Sequence, residues 1–361
     1  MASSRKQKAT PECPVALKTA WAKRKLVLFL GAGVSQPYGL PSWNELVLNV
    51  LLDESSHAFD VFWPHYRVAL ASWLTETFGF SGVVMARLAR QYARERNYDN
   101  RQFQEYLRSL LYRPNQKIKP AAATTLTGVV DLLKASEGDA KGWHIPAVVT
   151  FNYDDLLEQQ LKRAGIACES VYSNVRRTED KLYVLHVHGF LPQRGSISER
   201  EIVFTEDEYH RLSFAAFHWA QVDMINLLRN YTVLFLGLSM TDPNLRRLLD
   251  ASRAQETEAQ HFVIRKSYSL TPAERERARQ TIKEKARAQE ERFGLAGVEK
   301  TEYLLDQAID QMLRVAADYD ADVLRDMGVE TVWVEDFAHI PALLASIPQK
   351  RPGKRRAARQ A

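Results

Sequence analysis

Cysteine is nearly absent: Cys13 and Cys168 are the only two in 361 residues, and neither has a CxxC partner. That scarcity excludes a disulfide framework and a cysteine-built zinc site, and it favours a cytoplasmic chain. No apolar run approaches the roughly 18 residues that a membrane helix needs, so no membrane span is expected. The opening residues, MASSRKQKATPEC, carry charge but no apolar stretch, so no secretory signal is expected. No repeat recurs at the spacing of about 20–50 residues that marks solenoids. Acid is missing from residues 350–361, where Lys350, Arg351, Lys354, Arg355, Arg356 and Arg359 stand together. This basic tail accounts for the net charge of +5 and leaves the rest close to neutral. It reads either as a contact for nucleic acid or an acidic partner, or as a solvated terminus.

What is present is apolar sequence in short runs. Hydrophobic residues make up 45% of the chain, enough for a sizeable core. Leu26 to Leu30, LVLFL, is too short for a helix and reads as a strand buried on both faces. Similar runs at 146–151, 182–187, 201–205, 232–236, 261–265 and 329–334 predict further strands. Helical patterns lie between them, at 156–164, 206–229, 270–326 and 340–347. Another helix covers 44–52 after Ser42 as N-cap, and one more opens at Asp242-Pro243. Thr271 and Glu274 have the spacing of a capping box. The alternation predicts an α/β fold, a Rossmann-like doubly wound and mainly parallel sheet. Residues 55–140 show helical periodicity alone and read as a large all-helical insertion. Trp63, Trp73, Tyr92 and Phe103 are assigned to its core. The division is a polar leader with one short helix over 1–25, a sheet domain over 26–54 and 141–349, the insertion over 55–140, and the tail over 350–361.

Four strand ends carry glycine or polar residues, at 31–35, 152–154, 186–189 and 237–239. In an open parallel sheet these ends share one edge, where ligands bind. Gly31-Ala32-Gly33 allows a sharp turn and close backbone approach, and its N–H groups suit a pyrophosphate. Position 36 is Gln36 rather than a third glycine, so the loop is not a plain dehydrogenase fingerprint. Taken alone, it is equally a tight strand-to-helix turn. His186 and His188 lie two apart, on one strand face. A metal pair there lacks a third ligand, and His186 reads as a packed strand residue. Asp242-Pro243 reads as a helix start. His57, His65, His144, His210, His218 and His339 show no partner pattern and read as structural or surface.

As a set, Gly31-Ala32-Gly33-Val34-Ser35, Thr150-Phe151-Asn152-Tyr153-Asp154, His188-Gly189 and Gly237-Leu238-Ser239 resemble the NAD-binding core of the sirtuins. The order TFNYDDLLE, HVHG, IVFTEDEYH, FLGLSMTDPNLRRLL and VWVEDF more closely resembles the bacterial sirtuin-like domains of anti-phage defence. The likeness spans about 26–60 and 146–347. It implies that the sheet domain is an NAD-binding catalytic domain. Asn152 and His188 then match the family's catalytic pair. Gly31, Ala32, Gly33, Ser35, Asp154, Gly237 and Ser239 match NAD-contacting positions, and Trp43 stands where sirtuins place an aromatic beside the nicotinamide pocket. The four-cysteine zinc module of the deacylases is absent, and the defence relatives that share this gap are NAD hydrolases. The resemblance thus implies NAD+ as substrate, no zinc, a homo-oligomer, and a trigger that lies in assembly or in a partner such as an ATPase. A protein deacylase and a non-catalytic NAD or ADP-ribose sensor are the rival readings.

Overall fold

The computed structural model describes residues 12–53, 82–112, 124–137, 142–178, 181–197, 202–215, 217–253, 261–293 and 302–348. The basic tail, the first eleven residues, Trp63, Trp73 and the side chain of Tyr92 lie outside them. Seven strands form one sheet: β1 Leu26–Leu30, β2 Ala147–Thr150, β3 Cys168–Val171, β4 Leu182–His186, β5 Thr232–Leu236, β6 His261–Lys266 and β7 Val329–Val334. Their order is β3-β4-β2-β1-β5-β6-β7, and every neighbouring pair is parallel.

β1 lies at the centre, which explains its uninterrupted apolar run. Leu26, Leu28 and Leu30 face one layer, built by helices Val15–Ala22, Thr125–Ser136, Leu156–Arg163 and Ile340–Ala345. Val27 and Phe29 face the other, where Trp219–Asn230, Pro243–Ser252 and the end of Glu302–Asp326 pack. Alternate side chains point to opposite faces, so a strand covered on both sides must be apolar throughout. The fold is a Rossmann-like doubly wound sheet. The short helix expected near the N-terminus is Val15–Ala22, and its Leu17 and Trp21 are buried against the sheet.

A third apolar cluster lies over the carboxyl edge of the sheet. It joins helix Trp43–Asp53 (Leu46, Val47) to the insertion helices Gly82–Glu95 (Met85) and Asn100–Leu111 (Phe103, Leu107). Tyr153, Leu191 and Phe204 complete it from the sheet domain. Ser42 starts the first of these helices: its hydroxyl accepts the Glu45 N–H at 3.2 Å, and the Glu45 carboxylate accepts the Ser42 N–H at 2.6 Å.

The structure differs from the sequence reading at four places. β3 was not expected; it is a four-residue edge strand with only Val171 fully buried, so it shows no apolar run. The strand expected at 201–205 is absent from its described part, 202–205: Val203 donates one N–H to the His188 carbonyl, while Phe204 and Thr205 donate to the Glu208 carboxylate. The helix expected over 206–229 is two, Glu206–Phe214 and Trp219–Asn230, the second capped by the His218 ring. Residues 270–326 likewise hold two helices, Pro272–Phe293 and Glu302–Asp326. Arg279 grips Asp306 with both ends of its fork, at 2.7 and 2.6 Å, and Arg275 reaches Asp310 at 2.5 Å. Charge pairs of this kind hold geometry but contribute little stability where solvent reaches them.

Buried His261 begins β6, and its Nδ1 accepts the Val233 N–H of β5 at 3.2 Å. Burial pushes its pKa down to about 4. An unfolded imidazole takes up its proton near pH 6.5. The folded chain therefore binds fewer protons between those values, so stability is complete above pH 6.5 and falls as the pH drops towards 4. The loss from this group is about 3 kcal/mol. His261→Asn keeps an acceptor near the Nδ1 position for Val233 without titrating. Melting curves at pH 7 and pH 4.5 should show a steeper acid loss in the wild type than in this variant; parallel losses would contradict the assignment.

Candidate active site

Strand register sets the site. Leu30 of β1 pairs with Thr150 of β2 and Leu236 of β5, and Thr150 pairs with His186 of β4. The four strands therefore end at one level, and the residues just beyond them, from Gly31, Phe151, Val187 and Gly237 onward, share one edge. β1 lies between β2 and β5, whose connections run to opposite faces, and a cleft opens at such a switch point. Its volume is about 1240 Å³, ample for a large cofactor-sized ligand. Gly31, Ala32, Gly33, Trp43, Asn152, Asp154, His188, Gly237 and Ser239 all line it. Ser35, also expected there, lies behind the wall.

Ser35 instead ties two loops together. Its hydroxyl accepts from the Asn152 amide at 3.2 Å and donates to Asp154 Oδ1 at 3.2 Å. Asn152 Nδ2 also donates to the Gly31 carbonyl at 3.1 Å. The amide's donor half is thus committed to the β1 loop. Among the described residues its Oδ1 has no protein partner, which leaves an acceptor for a ligand. Asp154 Oδ1 also takes the Leu156 N–H at 3.1 Å and so opens helix Leu156–Arg163. Burial pushes its pKa up to about 6, against the pull of these hydrogen bonds.

The glycine loop does different work from the one its sequence suggests. Gly31 N–H donates to the Leu236 carbonyl and Gly33 N–H to the Gly237 carbonyl, both at 3.0 Å. The Val34 and Ser35 N–H groups turn back onto Gly31 and Ala32. These four donors serve the protein itself, not a pyrophosphate. A Cβ at Gly33 would lie 2.8 Å from Gly237 Cα, and one at Gly237 would lie 2.7 Å from Val34 N. The glycines let the β1 and β5 loops touch backbone to backbone, and Gly237 also has φ +65°.

The two histidines divide as the sequence suggests. His186 is enclosed behind the site. Its Nδ1 donates to the Asn152 carbonyl at 3.1 Å, and its Nε2 meets Glu158 Oε1 at 2.6 Å. Burial would raise the Glu158 carboxyl, but the His186 charge and hydrogen bond outweigh it and hold it below the usual value. His186 is thus a strut under Asn152. His188 lines the cleft, and among the described residues its buried Nε2 has no hydrogen-bond partner. Phe151 and Tyr209 set their rings edge-on to it, with centroids at 4.9 and 5.3 Å. Burial lowers its pKa and the nearby Asp242 carboxylate partly restores it, so the ring is neutral near pH 7. A neutral imidazole at the wall of a cleft, with a ring nitrogen left unpartnered among the described residues, can accept a proton from a ligand that reaches it.

Trp43 lies between Phe204, at 6.2 Å between ring centroids, and Gly82, where a Cβ would meet the indole at 2.6 Å. Ser239 is exposed at the rim, bonded to Thr241. Sequence reasoning missed Tyr209 and assigned Asp242 only to a helix start. Both line the cleft beside His188. The far end of the cleft, at the close of β6, carries Arg265 and Lys266. Among the described residues no group of three His, Cys, Asp or Glu side chains could hold a metal ion.

Comparison with known proteins agrees with this architecture. Residues 146–290, which carry β2 to β6, match the SIR2-like domain. Over 125 residues the chain is 30% identical to the NAD(+) hydrolase ThsA of Acinetobacter baumannii (strain 532279), a match taking in 32% of this chain and 24% of that protein. Over 121 residues it is 29% identical to the NAD(+) hydrolase ThsA of Enterococcus faecium, again over 32% of this chain and 24% of the relative. The matches thus span about a quarter of the length of these curated relatives.

Proposed function

We propose that this chain hydrolyses NAD+ to nicotinamide and ADP-ribose, and that it acts as the effector of a bacterial anti-phage system. One observation carries the chemistry: His188, neutral and with an Nε2 unpartnered among the described residues, and Asn152, whose Oδ1 is likewise unpartnered, line the same cleft. The names of the two ThsA relatives and the SIR2-like match favour NAD+ as the molecule that fills it. In the reaction the C1′–N bond breaks and its electron pair passes to the pyridinium nitrogen, so nicotinamide leaves neutral. Positive charge spreads over C1′ and the ring oxygen, as in other glycosidic cleavages. Water then adds to C1′, and its proton is accepted by His188, directly or through a ribose hydroxyl. Asn152 Oδ1 holds a ribose hydroxyl or that water. Trp43, Phe151 and Tyr209 wall the reacting end and limit competing water.

Bacteria carrying this protein should lose much of their NAD+ when phage infects, and cells with the His188→Ala variant should not. Phage arrest with an intact NAD+ pool in both strains would contradict the effector role. An effector of this kind must stay off until triggered, and we assign the switch to self-association or to an activating partner such as an ATPase. Helix Glu302–Asp326 supports this: Leu304, Met312 and Tyr319 are 56%, 68% and 66% exposed, with Val323 on the same stretch. Light scattering at micromolar concentration should report more than one chain per particle. A single-chain mass across a tenfold dilution, with full activity, would contradict assembly.

A further inference from the structure

Asp242 was assigned by sequence to a helix start, and one of its oxygens does that work. Oδ1 accepts the Leu245 N–H at 2.7 Å and caps helix Pro243–Ser252. The other oxygen does something else. Oδ2 lies 3.8 Å from His188 Nε2; both residues line the same cleft, and the Tyr209 hydroxyl also hydrogen-bonds the Asp242 carboxylate. That separation is too long for a hydrogen bond between them. Nε2 is buried and unpartnered, and a buried polar atom in that state needs a partner from a ligand or water. With the ring proton on Nδ1, two acceptors stand side by side at the catalytic end of the cleft. One hydroxyl cannot donate to both, because it has a single proton. Two adjacent hydroxyls on one sugar ring can, each donating to one acceptor.

We propose that Asp242 and His188 together clamp the cis-diol of the nicotinamide ribose, one hydroxyl on Asp242 Oδ2 and its neighbour on His188 Nε2. The inference rests on the dinucleotide reading of the cleft. Asp242 becomes a catalytic residue that touches substrate, and its negative charge favours the proton that His188 receives. Phe151 and Tyr209 exclude water from the pair with their rings. Tyr209 stays a neutral phenol, held well above its ordinary value by burial and by the adjoining Asp242.

Asp242→Asn is the test, because asparagine caps a helix as well as aspartate and keeps the shape. Affinities for NAD+ and for its analogues lacking the 2′- or the 3′-hydroxyl of the nicotinamide ribose are measured by calorimetry. The wild type should prefer NAD+ over each analogue by on the order of tenfold or more, as expected for hydroxyls bonded to a carboxylate or a buried ring nitrogen. In Asp242→Asn one preference should collapse and the other survive. Where NAD+ is cleaved, the acid limb of the rate profile should also move to lower pH in the variant, since Asp242 is the charge that raises His188. Both preferences unchanged in Asp242→Asn would overturn the clamp, and so would a wild type indifferent to both hydroxyls, which would make the gap a water site. A wild type that binds NAD+ but never releases nicotinamide contradicts the hydrolase and leaves the clamp to the affinities. No binding of any dinucleotide overturns both.

Discussion

His188→Ala should lower nicotinamide release by two to four orders of magnitude, the usual contribution of a positioned acid–base group. It should lower stability only through the ring packing it loses against Phe151 and Tyr209, because among the described residues Nε2 makes no hydrogen bond. His186→Ala should do the reverse. It strips the buried Glu158 carboxylate of its imidazole partner, leaving only the Ser170 hydroxyl, and removes the bond that steadies the Asn152 carbonyl. Breaking a buried pair of this kind costs about 3–5 kcal/mol. Residual folded His186→Ala protein should retain measurable cleavage. Parallel kinetics and melting curves on the two variants decide between them: stability loss in His188→Ala with near-normal turnover, or the opposite in His186→Ala, would mean that the roles are exchanged. The wild-type rate should also fall on acidification, through a His188 pKa below its ordinary 6.5.

Gly33→Val should destabilise the fold by about 3 kcal/mol or more, because the added carbons meet backbone rather than yielding side chains. The nearest atoms are Gly237 Cα at 2.8 Å and Gly237 O at 3.0 Å. The sequence alone suggests a milder result, a folded protein that fails to bind dinucleotide. The structure changes that expectation because the Gly33 N–H already bonds to the β5 loop. Denaturant titration of the purified variant is the measurement. A midpoint equal to wild type would show that the two loops separate freely and that this packing has been misread.

The sheet was legible because burial on both faces forces continuous apolar runs, as in LVLFL and TVLFL. β3 was not, because an edge strand of sequence Cys-Glu-Ser-Val is half exposed and carries no such run. The break between Phe214 and Trp219 escaped notice because a capping histidine, unlike proline or glycine, is a weak stop signal. That Asn152 and His188 line the cleft was legible from strand-end position and family resemblance together. Asp242 could not be placed, since its capping role already explains the residue and its second oxygen works only through a loop 54 residues away in sequence. Tyr209 lies inside the motif IVFTEDEYH, but helical periodicity gives no sign of which side chain turns towards His188. Likewise, the glycine pattern marks a close approach without saying whether ligand or a second loop makes it.

The central claim is that the loops after β1, β2 and β4 form a site where water cleaves NAD+. Its most direct test is the product ratio when the purified chain, alone and with a candidate activating ATPase, is incubated with NAD+. Nicotinamide and ADP-ribose should appear in equal amounts from the wild type and almost not at all from Asn152→Ala or His188→Ala. Tight binding without nicotinamide release in every assembly state, or an acetylated ADP-ribose that appears only with an acetylated peptide, would contradict it.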